Sequence, residues 1–232
     1  MIYPDTVSAT FIERPNRFIA KVELDGEEVI CHVKNTGRCR EILVPGTKVI
    51  LAHSDDSKRK TSYDLISAYK GDVLINIDSQ APNAVYAEAI SLGRIYNGPT
   101  LVKREARHGD SRFDFYIEDN GRKIFAEVKG VTLEDNGKVL FPDAPTERGV
   151  KHLRGLAHCV SEGYSASSVF VVQMSEADYF VPNYEMHEEF GIALEEAVSA
   201  GVEVTAYTCE VSENSLHLAH RIPIKLRNGV TL

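Results

Sequence analysis

Residues 111–130, SRFDFYIEDNGRKIFAEVKG, constrain this chain more than any other stretch. Asn120-Gly121 sits between two runs that alternate apolar and polar residues, the strongest short-range signal for two antiparallel strands joined by a tight turn. Phe113, Phe115 and Ile117 share one face of the first strand and leave Asp114 and Tyr116 on the other. On the second strand Ile124, Ala126 and Val128 point one way. Phe125, Glu127, Lys129 and Val131 point the other, so the two-residue period sets Glu127 beside Lys129. Two carboxylates and an ammonium converge. Such a group suits phosphodiester hydrolysis, because Mg²⁺ is usually held by one or two carboxylates plus water and substrate phosphate. A neighbouring lysine orients or deprotonates the attacking water and offsets charge on the phosphate. Glu-x-Lys is equally an ordinary solvated ion pair on a strand, and spacing alone does not separate the two uses.

A chain of 232 residues with 43% hydrophobic content supports one large domain or two small ones. No apolar run approaches the ~20 residues that span a bilayer, and the first residues lack a basic segment followed by an apolar one; the expectation is a cytoplasmic protein without a membrane partner. Cys31, Cys39, Cys159 and Cys209 show no C-x-x-C spacing, so reduced thiols are expected, with a redox or metal role left open for Cys31 and Cys39. The net charge of −8 is uneven: residues 174–216 carry ten acidic residues and no Lys or Arg, whereas the chain before Met174 has 23 basic against 24 acidic residues. The earlier basic clusters are therefore free to meet phosphates.

The first 80 residues read as five or six short strands punctuated by Asp25-Gly26, Pro45-Gly46 and Gly71-Asp72, without a helix. That pattern suggests a small barrel, with the OB type as one candidate. Its loops are cationic. Lys34, Arg38 and Arg40 flank Asn35, Thr36 and Gly37, and Lys58, Arg59 and Lys60 form a second cluster. Together with Arg14 and Arg17 they are candidates for tracking a phosphate backbone, against the ordinary alternative of solvated loops.

The pattern changes at Pro82, which places a domain boundary near residue 81 and divides the chain into residues 1–81 and 82–232. Asn83 is the expected cap of a helix over residues 84–92, ended by Gly93. Glu88 falls on the core-facing stripe with Val85, Ala89 and Leu92, so it either pairs with a base or faces a metal. A later helix over residues 147–162, capped by Thr146 or Asp143, sets Arg148, Lys151 and His152 on one side of its first turns, a plausible phosphate seat or plain surface charge. Residues 168–173 read as a buried strand. Another helix follows, capped by Asn183, then a strand over residues 202–209 and an edge strand from Leu216. The whole reads as α/β.

The strings RFIAKV, NTGRC, PGTKV, SRFDF, EVKGVTL and FPDAPTERGVKHL closely resemble the sugar fermentation stimulation protein A family. The resemblance implies an N-terminal all-β OB-type barrel and an α/β domain similar to PD-(D/E)XK nucleases, with DNA binding of little sequence specificity. It implies Asp114, Glu127 and Lys129 as the catalytic set, Glu88 as the additional acid, and Mg or Mn on Asp114, Glu127 and Glu88. The proline that usually precedes the first acid in that superfamily is Phe113 here, and Arg38-Cys39 stands where some relatives carry neutral residues. A divalent-cation-dependent nuclease is one function consistent with this set. A DNA-binding regulator of sugar catabolism genes without significant cleavage is the other.

Overall fold

A computed structural model describes residues 1–35, 37–55 and 58–232 of the chain. The first strands are β1 (Thr6–Asn16), β2 (Ile19–Leu24), β3 (Glu27–Val33), β4 (Lys48–His53), β5 (Tyr63–Lys70) and β6 (Val73–Asn76). They lie in the order β3-β2-β1-β4-β5-β6. A parallel contact of β3 with β5, His32 opposite Asp64 and Val33 opposite Leu65, closes the first five into a barrel of the expected OB type. The period of two makes this interior: Ala20 and Val22 are buried on β2 while Lys21 and Glu23, which alternate with them, face outward. At the β2–β3 turn Asp25 and Gly26 both take positive φ, 53° and 84°, the backbone of a two-residue hairpin loop.

The remainder is built from α1 (Ala81–Ser91), β7 (Leu101–His108), β8 (Ser111–Asp119), β9 (Arg122–Val131), β10 (Leu133–Asp135), β11 (Lys138–Phe141), α2 (Glu147–Ser161), β12 (Ser165–Val172), β13 (Tyr179–Pro182), α3 (Glu188–Ser199), β14 (Glu203–Val211) and β15 (Leu216–Ile222). The main sheet runs β15-β14-β12-β9-β8-β7, with parallel pairing of β12 to both neighbours and antiparallel strands outside them. β12 is buried along almost its whole length, as its apolar sequence demands at the centre of a covered sheet. One face packs Phe115, Ile117, Ala126 and Val128 under Val85, Tyr86 and Ala89 of α1. The other packs Phe125 and Phe170 under α2 and α3. A small sheet, β10-β11-β13, stands beside it.

Thr146 caps α2, its Oγ1 accepting the Gly149 N–H at 3.0 Å. α1 starts earlier than its sequence suggests: Gln80 is the N-cap, and Pro82 sits in the first turn, where its missing N–H costs nothing. Asn83 is thus inside the helix, and its side chain is spent elsewhere. Asn183 likewise does not cap α3, whose N-cap is His187; it accepts from Met186 N–H and donates to the Pro142 carbonyl.

Barrel and α/β layers share one apolar cluster, which runs from Phe11, Leu51 and Ile77 to Val131, Leu153 and Phe180. A buried polar seam joins them as well. Gln173 Nε2 donates to Asn76 Oδ1 at 2.8 Å and to the Asp78 carbonyl at 3.0 Å. Asp78, fully buried, is held by Lys34 at 2.8 Å and by the Tyr3 hydroxyl at 3.1 Å. All four cysteines are buried free thiols, as their spacing implied.

Candidate metal and nucleic-acid site

The turn between β8 and β9 has Asn120 at φ 50° and Gly121 at φ 79°, with Asp119 opposite Arg122. Pairing runs from there to Phe115 opposite Ala126 and then stops. At the next step, where Asp114 and Glu127 come opposite one another, β9 is already paired with β12 through Glu127–Ser168 and Lys129–Phe170. The strands fork here. The Val128 N–H donates to Asp114 Oδ2 at 2.8 Å, and Asn83 Nδ2 donates to Asp114 Oδ1 at 3.0 Å. On the outer side of the fork Glu105 of β7, between the Arg104–Phe115 and Ala106–Phe113 pairs, takes a positive φ of 58°. This distortion corrects one expectation: Phe113 and Phe115 do not share a face. Phe113 lies against Phe125 and His152 on the α2 side, and Phe115 against Tyr86 of α1.

Glu127 is 3% exposed. Its Oε1 receives both the Lys129 ammonium and Nδ1 of His152, which α2 brings over the fork. Its Oε2 is buried without a hydrogen-bond partner among the described residues. Burial pushes the Glu127 carboxyl up, but the bond from His152 and the Lys129 charge outweigh it and the net shift is downward. Asp114 shifts the opposite way, raised first by burial and then by the Glu127 charge. Two neighbouring like charges in a largely buried fork resist ionising together. Hard carboxylate oxygens in that state, one of them orphaned, suit a divalent cation.

The profile described as "Sugar fermentation stimulation protein RE domain" matches residues 80–215, and that of the "SfsA N-terminal OB domain" matches residues 12–77. The chain belongs to the sugar fermentation stimulation protein family. A homolog so named from Desulfitobacterium hafniense strain Y51 is 53% identical over 229 residues, spanning 99% of this chain and 100% of the relative. One from Ruminiclostridium cellulolyticum is 51% identical, spanning 97% and 100%. The solved structure of Pyrococcus furiosus SfsA in complex with Ca²⁺ is similar with a TM-score of 0.89 at 26% identity, covering 97% of this chain and 98% of that one.

Within this family member, Glu88 lies apart from the fork. Its carboxylate binds the Met1 ammonium at 2.6 Å and His217 at 2.9 Å, so of its two expected fates it has taken pairing, and the α1 side chain bonded to Asp114 is Asn83. Several expected phosphate contacts are also committed within the fold. Arg14 binds the carbonyls of Arg17, Asn35, Gly37 and Arg38 at 2.6 to 2.9 Å, holding the loop rather than reaching out of it. Lys34 neutralises buried Asp78, and Arg59 pairs with Asp64. His152 is buried on Glu127. Arg17, Arg38, Arg40, Lys58, Lys60, Arg148 and Lys151 are exposed, while Thr36 lies outside the described residues.

Arg17, Arg38 and Arg40 rim a groove of about 570 Å³ floored by Phe11, Leu43, Pro45 and Ala144. A second groove of about 320 Å³ shares Gly37 and Ala144 with it and ends on Gly130, next to Lys129. Gly130 is obligatory there: a Cβ would strike Gln173 Oε1 and lie 2.7 Å from Pro82 Cγ. The roles of Asn83, His152 and Gln173 are ones the sequence hides, since each acts on a residue distant along the chain. Glu147, His187 and Glu189 also gather within 4.8 Å at the surface. His187 Nδ1, however, accepts the Thr146 N–H, which leaves its Nε2–H directed at Glu147, a neutral imidazole facing an exposed carboxylate.

Proposed function

We propose that this protein is a divalent-cation-dependent nuclease acting on DNA, with residues 1–81 as the nucleic-acid-binding domain and residues 82–232 as the catalytic one. The observation that carries the reading is Oε2 of Glu127, buried and without a hydrogen-bond partner among the described residues, across the fork from Asp114. Leaving a buried carboxylate oxygen unsatisfied is costly, and a hard dication offsets that cost. Asp114 and Glu127 are the residues to hold it, as Mg or Mn in the reaction. Ca²⁺ in the Pyrococcus relative is a cation of the same hard, oxygen-seeking kind. When bound, such a cation supplies Lewis-acid polarisation of a phosphoryl oxygen.

The side chains divide the remaining work. Asn83 and the Val128 N–H fix the orientation of Asp114. Lys129, whose side chain is 20% exposed, is the cation able to turn from Glu127 toward a phosphate and stabilise the charge that builds as water attacks phosphorus and the P–O bond breaks. Arg17, Arg38 and Arg40 line a groove that shares Gly37 and Ala144 with the one reaching Gly130, and they hold the backbone without reading bases.

The test is cleavage of single-stranded, duplex and supercoiled DNA with Mg²⁺ or Mn²⁺, by wild type and by the Asp114→Asn, Glu127→Gln double variant. Cation-dependent cleavage by wild type alone is expected. Binding without cleavage on every substrate replaces this reading with that of a DNA-binding regulator.

A further inference from the structure

The geometry points to His152 as a positioning residue for the cation site: with Lys129 it occupies Glu127 Oε1, and so leaves Oε2 as the one oxygen of that carboxylate directed to a dication. This rests on the cation reading above. A carboxylate oxygen offers two lone pairs, so two donors saturate it. The two donors differ in stiffness. Lys129 is a flexible chain, 20% exposed, on a strand. His152 is 5% exposed, its ring edge-on to Phe113 at 6.0 Å between centroids, on a helix anchored by its Thr146 cap.

The ring's own proton is placed by a third residue. Arg148, one turn earlier on α2, directs Nε at His152 Nε2 across 3.4 Å. A guanidinium only donates, so Nε2 accepts and the ring proton resides on Nδ1, facing Glu127. The chain Arg148 to His152 to Glu127 therefore selects which oxygen stays open and keeps the carboxylate from turning when Lys129 leaves it for a phosphate. Arg148 and His152 stand four residues apart on one helix face, a spacing that in sequence suggests phosphate binding. Only Arg148 is exposed for that purpose.

Mn²⁺ titration calorimetry on the metal-free full chain, with His152→Asn and His152→Gln, tests the assignment. An asparagine carries an N–H near the position of Nδ1, a glutamine near that of Nε2. His152→Gln is expected to weaken Mn²⁺ binding ~10- to 100-fold, and His152→Asn to stay within ~3-fold of wild type. Thermal unfolding of both variants separates folding from positioning, since a purely structural histidine makes Asn and Gln alike. Nitrogen-15 NMR of the histidine rings gives a second readout: His152 is expected as the Nδ1–H tautomer in wild type, with that preference lost in Arg148→Met. Equal Mn²⁺ affinity in His152→Gln and wild type, equal behaviour of Asn and Gln, or an Nε2–H tautomer in wild type overturns the inference and leaves the cation reading standing. Absence of Mn²⁺ binding in wild type overturns both.

Discussion

Each acid in this molecule is defined by what touches it. Asp114 and Glu127 face each other where the β8–β9 ladder ends, and their carboxyl groups shift in opposite directions. Glu88, chemically the same as Glu127, is held instead by the Met1 ammonium and His217, which lower its carboxyl against the upward push of burial. Its expected behaviour is accordingly different. In Glu88→Gln the Mn²⁺ affinity measured by calorimetry should match wild type, and stability should fall by at most ~1 kcal/mol, because Glu88 is about a third exposed and solvent screens the pair. A loss of metal affinity in this variant would return Glu88 to the cation site. The sequence did not disclose these partners, because His217 lies 129 positions away and no local pattern reports such a distance.

At the scale of elements, hairpins and central strands were legible where local signals agree. Asn120-Gly121 and Asp25-Gly26 both form the positive-φ turns that their residue types favour. The α1 start was misread because Asn83 suits a cap in isolation, and the fork offers it a carboxylate instead. The face of Phe113 was misread because a strict alternation assumes a regular ladder, and the ladder ends at Phe115. The barrel was legible as a type, but the strand pair that closes it was not. It rests on two residue pairs of β3 and β5, and at the first of them Asp64 takes His32 at 2.9 Å as well as Arg59. Burial raises the Asp64 carboxyl, but its bonds from Arg59 and His32 outweigh that and lower it below the ordinary range. A lowered folded-state value means that this stabilisation is complete above about pH 3.9, the unfolded carboxylate value, and is lost as pH falls through the folded one. Asp64→Asn should cost about 2 kcal/mol at neutral pH in urea unfolding, with the difference from wild type shrinking in acid. A constant difference across that range would contradict the ion-pair account of closure.

At the scale of the whole molecule, the acidity of residues 174–216 coexists with a cationic groove on the barrel side. Sequence clustering overcounted the free charges of these loops, since Arg14, Lys34 and Arg59 turn inward to carbonyls or carboxylates. Neutralising the exposed Arg17, Arg38 and Arg40 together should weaken duplex DNA binding uniformly across sequences. The slope of log affinity against log salt should lose about 0.9 for each phosphate contact removed. An unchanged slope in fluorescence anisotropy would remove this groove from the binding surface. No helix among the described residues is long and apolar enough to cross a membrane. A second groove, which shares Gly37 and Ala144 with this one, reaches Gly130, and on the proposed reading the residue before it links binding to chemistry.

That residue is Lys129, and single-turnover cleavage of DNA with Mn²⁺, measured beside equilibrium DNA and Mn²⁺ binding, tests the account most directly. An interaction made chiefly in the transition state lowers turnover when removed and leaves ground-state affinity almost intact. Lys129→Ala is expected to bind DNA and Mn²⁺ within a few-fold of wild type and to cleave at least ~10²-fold more slowly. Cleavage by Lys129→Ala at the wild-type rate, or no cleavage by wild type under saturating Mn²⁺, would contradict it.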